Sequence, residues 1–319
     1  MRKFIPALLF MCVLSMAASA QTYQHEFGFQ SDNDSYLGQG SDRYYTNGLF
    51  LNFRFATDQA KLKAGTEKKI WEISAGQKMY NPYSGAAPDP AKQDRPFAGY
   101  LYAEGGLNWF YKNESILKLS TQLGVVGPES GAEQLQVALH KLIGYTRPRG
   151  WEYQITTTPA VQGTVFYSHK IQQGRYHEKA DFHLQGELNA GTIWIGATVG
   201  AMARISLKGL LLPMYDSALH GAALNHDKAL YKEQRELFLY ITPNLNYQRY
   251  DATIQGSMFN SSSPVTYPLL PFRFNAEAGI KYRYNNWTYS YSFNYHGKEL
   301  SNNVISGYYY GSIVLSRMF

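Results

Sequence analysis

His140 is the titratable residue whose neighbours best suit chemistry. It falls in a segment that departs from the rest of the chain by its helical spacing. Ser130-Gly131-Ala132-Glu133 reads as a capping box, in which a hydroxyl and a carboxylate satisfy the first backbone N–H groups of a helix. Leu135, Ala138, Leu139 and Leu142 recur at helical intervals, and Gly144 stands where a C-cap glycine belongs. Gln136 and His140 are one helical turn apart, so they share one side of this short amphipathic helix, at the edge of its apolar stripe. A histidine so placed is a reasonable general base. The plain alternative is a surface imidazole with no role. That plain reading holds for His25, His169, His177, His183, His220, His226 and His296, none of which has a comparable setting.

A second concentration of chemistry lies far upstream. Asp32-Asn33-Asp34-Ser35 crowds carboxylate and amide oxygens at the exit of a strand, a composition that suits a hard cation such as calcium. An Asx-rich turn would use the same residues. Two further blocks are dense in polar and ring side chains, Asp42-Arg43-Tyr44-Tyr45-Thr46-Asn47-Gly48 and Asp94-Arg95-Pro96-Phe97-Ala98-Gly99-Tyr100. Alone they read as aromatic girdle strands with charged ends. No Gly-x-Ser-x-Gly elbow, HExxH, P-loop or CxxC occurs.

The elements that must position these residues are strands. Period-two alternation runs the length of the chain. Phe27, Phe29 and Ser31 oppose Glu26, Gly28 and Gln30, and Trp287, Tyr289, Tyr291 and Phe293 oppose Thr288, Ser290, Ser292 and Asn294. Candidate strands lie near 24–34, 43–57, 69–80, 97–111, 115–126, 154–170, 178–189, 192–206, 233–248, 250–258, 270–284, 286–296 and 304–319. Their length and alternation suit tilted transmembrane strands. Closure with both termini on one side needs an even number, so 250–258 is expected outside the wall and twelve strands within it. Tight turns at Lys112-Asn113-Glu114, Ala190-Gly191 and Asn285-Asn286 contrast with long loops at 81–96, 127–153, 207–231 and 297–303. That contrast predicts short turns at one end and long loops at the other. The chain closes on an alternating strand whose last residue is Phe319, resembling the terminal aromatic of outer-membrane barrels. The fold class expected is therefore all-β, a transmembrane antiparallel barrel with a short helix in an extracellular loop. A soluble β-sandwich is the alternative.

Composition agrees. Charged residues are 17% of the chain and aromatic residues 15%, with 27 tyrosines, whereas soluble domains carry roughly 25% charge. Residues 1–20 read as a signal peptide: Arg2 and Lys3, an apolar run from Phe4 to Met16, and Ala18-Ser19-Ala20 before Gln21. Residues 21–319 then form one barrel domain, placed in the outer membrane of a Gram-negative bacterium. Its single cysteine, Cys12, falls in the signal segment, which excludes disulfides, thiol catalysis and cysteine metal sites from the mature chain. The net charge, +6, weakly favours anionic partners such as lipid headgroups, and nothing resembles a nucleic-acid stripe.

Together the blocks resemble the lipid A 3′-O-deacylase family, the LpxR-like outer-membrane enzymes. The stretches that carry the resemblance are Ser31-Asp32-Asn33-Asp34-Ser35, Asp42 to Leu49, Asp94 to Tyr102, Gly124-Val125-Val126-Gly127-Pro128, Gln136 to His140, and Gly150-Trp151-Glu152-Tyr153-Gln154. They stand in the family's order over roughly residues 27–155, and the remainder matches only as barrel. The resemblance implies a twelve-stranded barrel, acting as a monomer, that removes an acyloxyacyl chain from lipid A of lipopolysaccharide, with calcium (Ca2+) required. It places His140 on the catalytic histidine and Gln136 on the glutamine before it. Asn33 and Asp34 fall on the Asn-Asp pair, Thr46 on a strand hydroxyl, and Asp32, Asn33 and Asp34 become candidates for the metal. The sequence departs from the family at Thr146, where a member carries glutamate, so Glu152 is the nearest remaining loop carboxylate. The family's basic residues have no secure match in Lys92 or Arg95. Three readings follow: a calcium-dependent esterase of lipid A, a surface phospholipase on the same scaffold, and a porin-like or structural barrel without catalysis.

Overall fold

The computed structural model describes residues 22–38, 43–171, 179–226, 234–302 and 304–319. The expected signal segment, Asp42 and His177 lie outside the described residues. Twelve strands close into one antiparallel barrel in which each strand pairs with its sequence neighbours and the first pairs with the last. They are β1 (His25–Asn33), β2 (Tyr44–Ala56), β3 (Thr66–Asn81), β4 (Ala98–Tyr111), β5 (Ile116–Val126) and β6 (Thr158–Lys170), then β7 (Ala180–Gly191), β8 (Trp194–Lys208), β9 (Arg235–Asp251), β10 (Phe272–Tyr284), β11 (Trp287–Gly297) and β12 (Gly307–Met318). Of residues 250–258, Tyr250 and Asp251 complete β9 against β8, and 252–258 leave the wall. β9 ends at Asp251, whose carboxylate accepts from the Thr253 N–H and caps the short helix α2 (Ala252–Gln255).

Alternation decides what faces where. Ile73, Leu123, Val199 and Leu245 are more than half exposed and belong to a continuous outer apolar surface. The ring closes with no open edge, so the strand backbones pair with one another, which is how a sheet survives in hydrocarbon. Inside, polar residues meet one another: Arg54 donates to Glu26 at 2.6 Å and to Glu72 at 2.9 Å. Among the described residues no helix is long and apolar enough to cross a membrane, and the crossing is made by strands.

The loops divide less simply than their lengths suggest. At the rim distal to the termini lie 34–38, 82–97, 127–157, 252–271 and 298–302, but also the two-residue turn between β7 and β8. The described part of the long connection from β8 to β9, residues 209–226, is at the opposite end, with the termini, and turns into the barrel. Its Leu211, Met214, Leu219, Ala222 and Leu224 bury against lumen-facing Ile70, Phe110, Met202 and Phe238. Lys68 fastens this plug by donating to Asp216 at 2.5 Å and to the Ala222 carbonyl at 2.7 Å. Arg204 donates to Asp181 at 2.9 Å and to Ser217 at 2.9 Å. The expectation that 207–231 would join the other long loops is thus corrected: its apolar residues have a lumen to fill at that end.

The distal mouth is narrowed by a clasp of charge. Arg95, fully buried, donates from Nε to Glu299 and from Nη2 to Thr253 Oγ1, both at 3.0 Å, while Arg273 donates to the other Glu299 oxygen at 3.0 Å. Burial alone would push the Glu299 carboxyl up, but the two guanidiniums outweigh it and hold it below the usual carboxylate range. Between plug and clasp the lumen holds polar cavities of about 640, 450 and 400 Å³.

Candidate active site on the outer wall

One rung of the sheet organises the site. The registers pair Gly311 with Asn33, Asn33 with Asn47, Asn47 with Met79, and Met79 with Gly99, giving a line across β12, β1, β2, β3 and β4. Residues on one rung share a face. Asn33 continues the series Phe27, Phe29, Ser31, and Met79 continues Trp71, Ile73, Ala75, Gln77, so the rung faces outward, toward the membrane side of the wall.

A bulge in β2 delivers the hydroxyl. The β2–β3 register slips between Tyr45 and Asn47, leaving Thr46 as the extra residue. Tyr45 keeps to the lumen and donates to Asp32 at 2.7 Å, while Asn47 reaches the outer face and donates to Thr46 Oγ1 at 3.0 Å. Thr46 is fully buried. Asn33 Nδ2 donates to Asn47 Oδ1, and Asn33 Oδ1 accepts from the Ser35 N–H at 2.7 Å, capping a 3₁₀ turn over Asp34–Leu37. Asp34 is buried in the first turn of that segment.

Strand alternation separates Asp32 from its two neighbours. Its carboxylate points into the lumen, where Tyr45, Ser312 (2.7 Å) and Gln30 (2.9 Å) donate to it. Asn33 therefore stands on the other face from it. The side chains joined on the outer side are those of Asn33, Asn47 and Thr46, and Asp34 is buried at the start of the 3₁₀ turn that follows Asn33. Amide, hydroxyl and carboxylate oxygens are the donor types calcium takes, with Asp34 the one anion in this set. No cluster of three or more His, Cys, Asp or Glu side chains suited to a metal occurs among the described residues.

Two glycines frame the rung. A Cβ at Gly311 would come within 2.8 Å of the Tyr36 Cβ, so glycine there lets the 3₁₀ turn lie against the wall. A Cβ at Gly99 would come within 2.1 Å of Ser130 Oγ and 2.3 Å of the Ala132 Cβ, so glycine there admits the helix α1 (Ala132–Ile143). Gln77, on the same outer face, donates to the Ser130 carbonyl. The helix forms where its spacing predicts and ends on Gly144 at φ 79°, but its start differs from the expected capping box. Gly131 is the N-cap, and Ser130 turns back to donate to the Gly127 carbonyl at 2.6 Å, closing a 3₁₀ turn before the helix.

The docked face of α1 differs from its apolar stripe. Ala132, Gln136 and His140, each four residues apart, are buried, whereas Ala138 is exposed and Leu142 is 80% exposed. Ala132 packs with Met79, Phe97, Ala87 and Trp151, so the helix is pinned to the rung through Met79. Gln136 is fully buried. Its Oε1 accepts from the Trp151 indole at 2.8 Å, and its Nε2 has no hydrogen-bond partner among the described residues. Trp151 in turn lies 5.0 Å from Phe97, centroid to centroid.

His140 is held from behind. Its Nδ1 lies 2.6 Å from the backbone carbonyl of Thr146, and the Tyr145 ring meets it edge-on at 5.7 Å. A carbonyl only accepts, so Nδ1 carries the proton and Nε2 is the basic nitrogen of the neutral ring. The position at which a family member carries glutamate thus contributes through its main chain. Glu152 is exposed and accepts from the Gly150 N–H at 3.2 Å, and no contact with His140 is among its bonds. Lys92 is exposed beside Asp89 at 3.7 Å, and Arg95 belongs to the mouth clasp. Other histidines serve packing: His169 meets Ser115 at 2.7 Å, and His296 stacks on Tyr308.

Sequence reasoning missed Met79, Gly99 and Asn47 as parts of the site. Their signal was available as outward parity on β2, β3 and β4, but parity alone does not say which rung a helix will cover.

An apolar outer wall, a plugged lumen and polar side chains gathered on the outer face define an outer-membrane β-barrel of the Gram-negative type whose candidate site addresses the membrane. The family model for the outer membrane protein LpxR matches residues 5–319, and the chain belongs to that family. It is similar to the solved structure of LpxR from Salmonella typhimurium, at 19% identity and a TM-score of 0.73, covering 92% of this chain and 100% of that one. The β domain of the Bordetella autotransporter BrkA matches at 8% identity and a TM-score of 0.47, over 94% of this chain and 100% of that one. No curated protein sequence matches.

Proposed function

We propose that this protein is a lipid A deacylase, a carboxylic ester hydrolase that releases the 3′-acyloxyacyl chain from lipid A in the outer leaflet. One observation carries the reading. A histidine whose basic nitrogen is set by a backbone carbonyl shares a helix face with a buried, unpaired amide donor, on the outer wall and not in the lumen. Lipid reaches that wall directly, while a lumen narrowed by a packed plug and a charged clasp argues against a passive pore.

The residues divide the work as follows. His140 Nε2 takes a proton from water as the hydroxide oxygen bonds to the ester carbonyl carbon. Gln136 Nε2–H donates to the carbonyl oxygen as it gains negative charge. The tetrahedral species then breaks its bond to the sugar oxygen, which leaves with the proton from His140 and becomes a hydroxyl. The chain departs as a free acid. Asn33, Asp34 and Thr46 would hold a calcium ion, which supplies positive charge to polarise an ester carbonyl. All of these residues come from one chain, which fits action as a monomer.

Access requires movement. His140 is 6% exposed, Asp34 4%, and Gln136 and Thr46 are fully buried. Glycines at positive φ, Gly131 (68°) and Gly144 (79°), bracket α1, and lifting the helix at these points opens the site.

A surface phospholipase would use the same machinery on a glycerol ester. Purified barrel incubated with lipid A and, separately, with phospholipid, with products read by mass spectrometry, tests the assignment. Loss of the acyloxyacyl acid from lipid A is expected, with His140→Ala assembling normally but slower by about 10²–10⁴-fold. Parental turnover in His140→Ala would remove the base, and products from phospholipid alone would favour the alternative.

A further inference from the structure

Asn81 closes β3 at the distal rim and takes no part in the mechanism above. It is fully buried, and both its Nδ2 and its Oδ1 lack hydrogen-bond partners among the described residues. Because both atoms are unpaired, the observation does not depend on which way the amide is turned. A buried side-chain amide left unpaired is uncommon and costly, and it invites a search for what completes it.

Its place in the fold ties it to the candidate site. Asn81 follows Met79 by two residues, about 7 Å further along the strand, and closes β3 on the rung next beyond the bulge. Thr46, the extra residue of the bulge, lies between the rungs on which Tyr45 meets Tyr80 and Asn47 meets Met79, just before Tyr44 pairs with Asn81. Extended by one residue, the β3–β4 register sets Asn81 opposite Phe97, whose ring packs on Trp151, the partner of Gln136. Two fully buried amides with unfilled hydrogen-bonding atoms thus flank the same Met79–Phe97–Trp151 cluster.

Asn81 presents one donor pair and one acceptor side by side. The ligand group that satisfies both at once is a secondary amide, whose C=O accepts from Nδ2 while its N–H donates to Oδ1. An ester in the same position offers only the acceptor and leaves Oδ1 unpaired. In lipid A the ester at carbon 3′ of the glucosamine has an amide-linked acyl chain as its neighbour on carbon 2′. A glycerophospholipid has two esters and no such N–H. We infer that Asn81 is a specificity-determining residue that pairs with the N-acyl amide beside the scissile ester, so that the site selects acylated amino sugars over glycerol lipids. The inference rests on the deacylase reading and names what that site recognises.

The experiment uses two synthetic monosaccharide lipids, 2-N-acyl-3-O-acyl-glucosamine 4-phosphate and the 2-O-acyl-3-O-acyl-glucose counterpart, which differ at the carbon-2 linkage. With the purified full-length barrel, kcat/KM for release of the 3-O-acyl chain is expected to favour the amide lipid by about 10- to 100-fold. In Asn81→Leu, similar in size but unable to pair, the ratio should fall toward one, chiefly through KM on the amide lipid. Asn81→Ser provides a second variant, and the gel-mobility shift on boiling confirms that each variant assembles. A parent enzyme that cleaves both lipids equally would overturn the role of Asn81 while leaving the deacylase reading intact. Equal losses on both lipids, or an unchanged ratio in both variants, would also overturn it. A parent that cleaves neither lipid but releases a chain from intact lipid A would place recognition elsewhere and overturn it as well.

Discussion

Replacing Gly99 by alanine tests whether α1 is seated by the wall beneath it. Gly99 is on the outer face of β4, and its added Cβ would lie 2.1 Å from Ser130 Oγ and 2.3 Å from the Ala132 Cβ. Carbon atoms rest about 3.5–4.0 Å apart, so the first turn of α1 must move outward by more than about 1 Å. Neither neighbour is the far end of a flexible chain. Ser130 is fixed by its bond to the Gly127 carbonyl and by Gln77, and Ala132 belongs to the helix backbone's own tight packing. Overpacking of this kind costs about 1–3 kcal/mol. The ladder is untouched, because Gly99 pairs with Met79 through main-chain atoms and the barrel closes as before. Gln136 and His140 ride on the displaced helix, and a shift of about 1 Å in positioned groups costs on the order of 10²-fold in rate. Gly105 supplies the control. It lies on the same strand and face, and a Cβ there meets nothing within 4 Å. Acyl-chain release from lipid A in detergent, measured alongside the boiling-dependent gel shift, should show Gly99→Ala assembled but slower by about 10²-fold. Gly105→Ala should match the parent. Parental rates in Gly99→Ala, or an equal loss in Gly105→Ala, would refute the idea that the wall sets the position of α1.

Exhaustive chelation is expected to abolish release and added calcium to restore it, with Asp34→Ala raising the calcium needed; full activity after chelation would take calcium out of the mechanism. The mouth clasp should respond to pH. Arg95 and Arg273 hold the Glu299 carboxyl below its ordinary value, so its contribution is complete above the unfolded value of about 4.3 and is lost as pH falls through the lower folded value. The difference in thermal midpoint between parent and Glu299→Gln should therefore be largest near neutral pH and shrink in acid. A difference that grows on acidification would contradict the sign.

The sequence alone carried the barrel. Alternation such as Phe27 and Phe29 against Glu26 and Gln30 is local, because successive strand side chains point to opposite faces whatever the rest of the chain does. Twelve such segments and the helical interruption at 132–143 were legible for that reason, as was the αL glycine that stops the helix. The residues proposed for the site, His140, Gln136, Asn33, Asp34 and Thr46, were named in the sequence by resemblance. Their arrangement was not. Asp32, Asn33 and Asp34 read as one cluster along the chain, but pleating turns Asp32 into the lumen and Asn33 outward, while Asp34 leaves the strand in the 3₁₀ turn. The apolar stripe of α1 runs through Leu135, Ala138, Leu139 and Leu142, yet the buried face is Ala132, Gln136 and His140, and Gly99 opens the space that Ala132 enters. Thr146 read as a lost carboxylate, and its main-chain carbonyl, which every residue type possesses, holds the imidazole. The long β8–β9 loop read as one more surface connection and became the plug. In each case the deciding partner is distant in sequence: a strand register, a glycine on another strand, a lumen that exists only once the ring closes. Local pattern fixes which face a side chain takes, and only closure of the barrel decides what lies on the other side of it.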